Sequence, residues 1–146
     1  MAADPYELER FVAAQSPLID AVRGELRRGF KTSHWMWFIF PQLAELGASA
    51  MAKRYGIESV REARAYLEHP VLGPRLLECC GMLLQVPNDD IEDILGHPDD
   101  LKFRSCLTLF MTADPDQEVF RQCLDKFYAG APDPRTVLLC WKSDGA

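Results

Sequence analysis

His34-Trp35-Met36-Trp37-Phe38-Ile39-Phe40-Pro41-Gln42 is the stretch on which the fold class turns. Apart from this run, no segment of the chain shows sustained strand alternation, and one strand alone cannot make a sheet. The run therefore reads as an irregular or 3₁₀ piece, from about 31 to 43, set into an otherwise helical chain. It concentrates two of the three tryptophans within six residues. Each such ring buries roughly 150–250 Å², so the run is either the keystone of the core or the wall of a pocket.

Outward from it, helix punctuation recurs. Asp4-Pro5, Ser16-Pro17, His69-Pro70, His97-Pro98, Asp114-Pro115 and Asp133-Pro134 read as helix starts. Proline suits the first helical turn, and Asp or Ser before it can cap the exposed amides. Gly29 and Gly56 read as stops. Ser49 reads as the cap of a short helix, Ser59-Val60-Arg61-Glu62 as a capping box, and Asn88 as a further cap. Leu72, Leu76, Cys80 and Leu83 mark a longer buried helix, with Pro74 in its first turn. The expectation is an all-α single domain over residues 1–146, with about eight or nine short helices. Residues 141–146 are expected as a disordered tail.

Composition narrows the function classes. The chain has 146 residues, 48% hydrophobic and 26% charged, which suffices for one core without staples. A net charge of −6 argues against general nucleic-acid binding and against an anionic membrane surface. Five cysteines without a Cys-x-x-Cys pair cannot all pair internally; Cys79-Cys80 reads as small buried hydrophobes in a reducing compartment. With no signal-like start and no run approaching the ~20 residues of a membrane span, a cytoplasmic location is expected. No phosphate-binding glycine loop, nucleophile elbow or zinc-ligand spacing is present. Asp89, Asp90, Glu92 and Asp93 read as a helix start rather than a metal site. No metal and no cofactor are expected.

Two constellations can carry chemistry. The first is Lys31, Ser33, His34, Trp35, Trp37 and Gln42: a cation, a hydroxyl, an imidazole and an amide around aromatic walls, the mixture that orients a ligand in a small-molecule pocket. His34 has the titration range for general acid–base work. The second is Lys102, Arg104, Ser105 and Thr108 on one predicted helix. Two cations near a helix N-terminus are at the unfavourable end of the dipole unless an anion sits there, either a ligand or a neighbour such as Asp99 or Asp100. The hydroxyls either serve a pocket or bond back to the preceding turn.

Asp4-Pro5-Tyr6, Ser33 to Gln42, Arg54-Tyr55-Gly56, His69 to Leu76 and Lys102 to Phe110 together resemble a family of bacterial and fungal domains of unknown function, often labelled calpastatin-like. The resemblance spans nearly the whole chain and implies a compact all-helical domain with no established activity. Cys106 stands where the pattern has Met. The calpastatin-like label fits poorly, because calpain-inhibiting segments are polar and fold on their target, whereas this composition is that of a prefolded globule.

The functional expectation is a domain that binds, or binds and processes, a small anionic or nucleotide-like metabolite. Segment 31–42 and helix 102–108 would line the pocket, with Trp35 and Trp37 stacking on a planar group. This requires the two segments to converge in space. The alternative is a protein-interaction module docking through the Trp-rich run, and a third reading makes the run purely core.

Overall fold

The computed structural model describes residues 3–143. Among these, ten α-helices and one 3₁₀ turn follow one another: α1 Glu9–Gln15, α2 Ile19–Arg28, α3 Met36–Ile39, the turn Ala44–Leu46, α4 Ala50–Arg54, α5 Val60–Glu68, α6 Leu72–Gln85, α7 Ile91–Leu95, α8 Asp99–Ala113, α9 Glu118–Tyr128 and α10 Pro134–Ser143. The chain is all-α, as its patterning implies. The one helix not anticipated is α3, a single turn inside the aromatic run.

The caps show why helices begin where they do. Ser49 and Ser59 accept the amides of Ala52 and Glu62, as their spacing predicts. Asp133 caps α10 through the Thr136 amide and hydroxyl. His69, nominally a poor cap, accepts the amides of Val71 and Leu72 at its Nδ1 and opens α6. Asp4 acts later than expected: its carboxylate accepts from Leu8 and Glu9, so α1 starts at Glu9 rather than at Pro5. Asp90, not Asn88, caps α7 by accepting from Glu92 and Asp93. Gly29 ends α2 in the left-handed region at φ 72°.

Helix α8 is the hub. It packs on α5, α7, α9 and α10, and Phe103, Cys106, Leu107, Leu109 and Phe110 are all fully buried. Its polar residues can be buried because they bond back along the helix: Ser105 Oγ donates to Leu101 O, Thr108 Oγ1 to Arg104 O and Thr112 Oγ1 to Thr108 O. Phe40 of the aromatic run packs against Phe103, with ring centroids 4.7 Å apart and planes tilted by 60°. All five cysteines are buried thiols outside any disulfide among the described residues, and burial pushes the Cys79 thiol up to about 12. They serve as core hydrophobes.

The expected tail needs correcting. Helix α10 runs on through Trp141, Lys142 and Ser143, because Thr136 and Cys140 dock it on the core. Residues 144–146 lie outside the described residues. No helix is long and apolar enough to cross a membrane among the described residues.

Candidate functional site

The aromatic run is positioned by one buried carboxylate. Glu25, on α2 and 3% exposed, accepts from the Thr32 amide (2.7 Å), the Ser33 amide (3.0 Å), the Ser33 hydroxyl (2.7 Å) and Trp35 Nε1 (3.0 Å). Burial alone would push this carboxyl up; the hydrogen bonds from Ser33, Thr32 and Trp35 outweigh it and hold it at about 2, against an ordinary 4.5. The consequence is a rigid knot at the start of the run. Trp35 is 1% exposed, so it has no open face for a ligand or a partner protein. The expectation that Trp35 stacks on a planar group is corrected accordingly. Ser33 is likewise taken up by Glu25.

Past the knot the chain turns through α3 to Gln42. Two backbone bonds fix it there: Ile57 N–H donates to Gln42 O and Ala44 N–H to Ile57 O, both 2.9 Å, in an isolated parallel bridge between Leu43 and Ile57. Gly47 lets this segment close on α4, since a Cβ there would come within 2.3 Å of Ala52 Cβ. The result is a cleft of about 450 Å³ between the 42–49 segment, α4, the first turns of α8 and the start of α10. Gln42, Lys102, Ser105, Asp133 and Arg135 supply its polar wall. Leu46, Ala52, Pro98 and Leu101 supply the apolar one. A narrow slot of about 10 Å³, lined by Trp37, Phe40 and Tyr55, shares Gln42, Ala52 and Lys102 with the cleft. That is room for about one water, so Trp37 borders the cleft without offering a ring-sized space in front of it.

The two segments singled out in the sequence thus converge, and a carboxylate joins them. Asp99 receives Lys31 Nζ at 2.9 Å on one oxygen and Lys102 Nζ at 3.2 Å on the other. Lys102 also lies over the Trp37 ring at 5.6 Å. Two ammonium groups on one carboxylate leave one positive charge in excess beside the cleft. Arg135 adds a second, forming no ion pair among the described residues. Asp133 faces them, with one oxygen committed to Thr136. The half-buried carboxamide of Gln42 makes no hydrogen bond among the described residues, so its donors and acceptor are open to the cleft.

Other candidate residues fall elsewhere. Arg104 donates to Ala131 O and Pro132 O and lies over Tyr128; Thr108 Oγ1 accepts the Asp133 amide. Both hold the loop before α10 and do not line the cleft. His34 is exposed and lines neither the cleft nor the slot, so a general acid–base role for it inside the cleft has no geometric basis. Arg135 escaped sequence reading because nothing local distinguishes a surface arginine in a first helical turn; only packing brings it opposite Gln42. Among the described residues the exposed large apolar side chains are not the Trp-rich run but Leu18, Phe30, Leu101, Val137, Leu138 and Trp141.

Comparison with known proteins adds the family. The model described as "Protein of unknown function (DUF1810)" matches residues 5–140, and the chain belongs to that family. Among solved structures it is similar to the conserved hypothetical protein Rv1873 from Mycobacterium tuberculosis, with 53% identity over 94% of this chain and 99% of that one, and a TM-score of 0.93. No curated protein matches the chain.

Proposed function

We propose that this DUF1810 domain binds a small anionic ligand in the cleft between Gln42 and α8, with Lys102 and Arg135 as its charge partners. One observation carries the reading. Lys102 and Arg135, from separate parts of the chain, line one concave surface, Lys31 joins Lys102 through Asp99 behind it, and these three cations against the two carboxylates Asp99 and Asp133 leave one positive charge over. A folded domain of net charge −6 has no need to concentrate positive charge there for stability. Gln42 orients the ligand by donating from its open carboxamide, Ser105 Oγ, whose proton goes to Leu101 O, accepts from a hydroxyl on the ligand, and Leu46, Pro98 and Leu101 cover its apolar body.

The reading is one of binding. A nucleotide-like ligand would need a ring-sized stacking surface, and the buried Trp35 and the one-water slot at Trp37 favour compact phosphates or carboxylates instead. Calpain inhibition forms no part of it, because a packed helical core is not a segment that folds on its target.

The test is a thermal-shift screen against sugar phosphates, inorganic phosphate, nucleotides and small carboxylic acids, run on wild type, Lys102→Ala, Arg135→Ala and His34→Ala. A ligand at a hundred times its Kd adds about 2.7 kcal/mol of stability. A shift lost in the Lys102 and Arg135 variants and kept in His34→Ala supports the cleft. A shift lost in His34→Ala and kept in the other two overturns it, as does the absence of any shift across the screen.

A further inference from the structure

We propose that Glu92, His97 and Asp100 form a site for a divalent first-row transition ion, with zinc as its representative, separate from the cleft. Each residue offers one ligand atom, and the three atoms lie within 4.8 Å of one another. His97 Nδ1 stands 2.9 Å from Asp100 Oδ1 and 3.8 Å from Glu92 Oε1. In a tetrahedral site with metal–ligand bonds of about 2.0–2.2 Å, neighbouring ligand atoms are about 3.3–3.6 Å apart. Two spacings lie either side of that value and the third, Glu92 to Asp100, is within 4.8 Å, so an ion taking the place of the proton shared by His97 and Asp100 needs the exposed Glu92 side chain to close in by up to about 1.5 Å, with water completing the shell.

The backbone holds the three residues in this relation. Gly96 N–H donates to Glu92 O at 2.8 Å, and Gly96 O accepts from the Asp100 amide at 2.9 Å. Gly96 manages both from φ 85°, a left-handed conformation that favours glycine. Tyr128 Oη donates to Asp100 O, tying the first turn of α8 to α9. The Asp90 cap fixes the Glu92 amide. Sequence reading sets Glu92 among helix-start carboxylates; the turn through Gly96 sets it against an imidazole.

Charge and donor chemistry agree. Asp89, Asp90, Glu92, Asp93 and Asp100 crowd this rim, and Lys126 reaches it only at Asp89, at 4.0 Å. Among the described residues no lysine or arginine pairs with Glu92, Asp93 or Asp100. Calcium and magnesium take oxygen ligands, whereas an imidazole beside two carboxylates suits zinc and its first-row neighbours.

The experiment is calorimetric titration of chelator-treated protein with zinc chloride, on wild type, His97→Ala, Asp100→Asn and His34→Ala, with calcium and magnesium as competitors. One ion per chain is expected, bound at least tenfold more weakly by His97→Ala and Asp100→Asn and equally by His34→Ala. Zinc should also shift the His97 imidazole resonances of the wild-type protein, a readout independent of how the variants fold. Absence of saturable binding, equal binding by His97→Ala, displacement by equimolar calcium or magnesium, or a shift confined to His34 or His69 each overturns the proposal.

Discussion

Two carboxylates, Glu25 and Asp99, each gather donors around the same aromatic segment, and they produce opposite results. Glu25 collects two amides, a hydroxyl and an indole N–H, all neutral, in a buried site. Its charge is spread over short bonds and nothing is left over. Asp99 collects two ammonium groups at the edge of a cleft. It is over-neutralised, and Lys102 brings the surplus charge to the cleft wall. Neutral donors make a carboxylate into a structural knot; paired cations make it the spacer between two charges beside a cleft.

The difference can be broken or sharpened by substitution. The largest effect is expected at Trp35, whose ring is buried on the knot side: Trp35→Ala should cost about 3–5 kcal/mol in urea unfolding. A cost below about 1 kcal/mol would mean that the ring is not the keystone described. Next comes Glu25→Gln, which keeps the shape but turns an amide toward N–H donors; about 2–3 kcal/mol is expected, the range for hydrogen bonds to a charged group.

The same carboxylate sets an acid sensitivity. Its folded-state value of about 2 lies below its ordinary 4.5, so its contribution is present above pH 4.5 and is lost as pH falls toward 2. Stability measured between pH 5 and 2 should fall less steeply in Glu25→Gln than in wild type; parallel curves would remove Glu25 from the account. On the cleft side the expected stability effects are smaller and the binding effects larger. Lys102→Ala should change stability by no more than about 1 kcal/mol, since Asp99 keeps Lys31. It should nonetheless weaken a cleft ligand at least tenfold in a thermal-shift titration. The smallest effect belongs to His34→Ala, within about 0.5 kcal/mol by urea melt and without influence on cleft binding.

These contrasts mark how far the sequence could be read. The helices were legible because their signals are local. Ser49, Ser59, Asp133 and Gly29 act within four residues of themselves, so spacing alone locates them. The Asp4 and Asn88 readings missed by a few residues because a short side chain's oxygen can reach several amides and local pattern does not say which. Within the aromatic run, composition announced its importance, while its two uses, Trp35 as core and Gln42 as cleft wall, depend on which side chain meets Glu25 on α2 and which meets Lys102 on α8.

By itself, the sequence determined an all-helical chain, a long buried helix through Leu72, Leu76, Cys80 and Leu83 and the importance of residues 31–42, because periodicity, capping and aromatic content are properties of neighbouring residues. Tertiary structure alone decided that Glu25 consumes the donors of Thr32, Ser33 and Trp35, that Asp99 joins Lys31 to Lys102, and that Arg135 stands opposite Gln42. Those pairings cross up to about ninety residues of chain, and long-range contacts of this kind follow from how faces pack rather than from any pattern along the backbone.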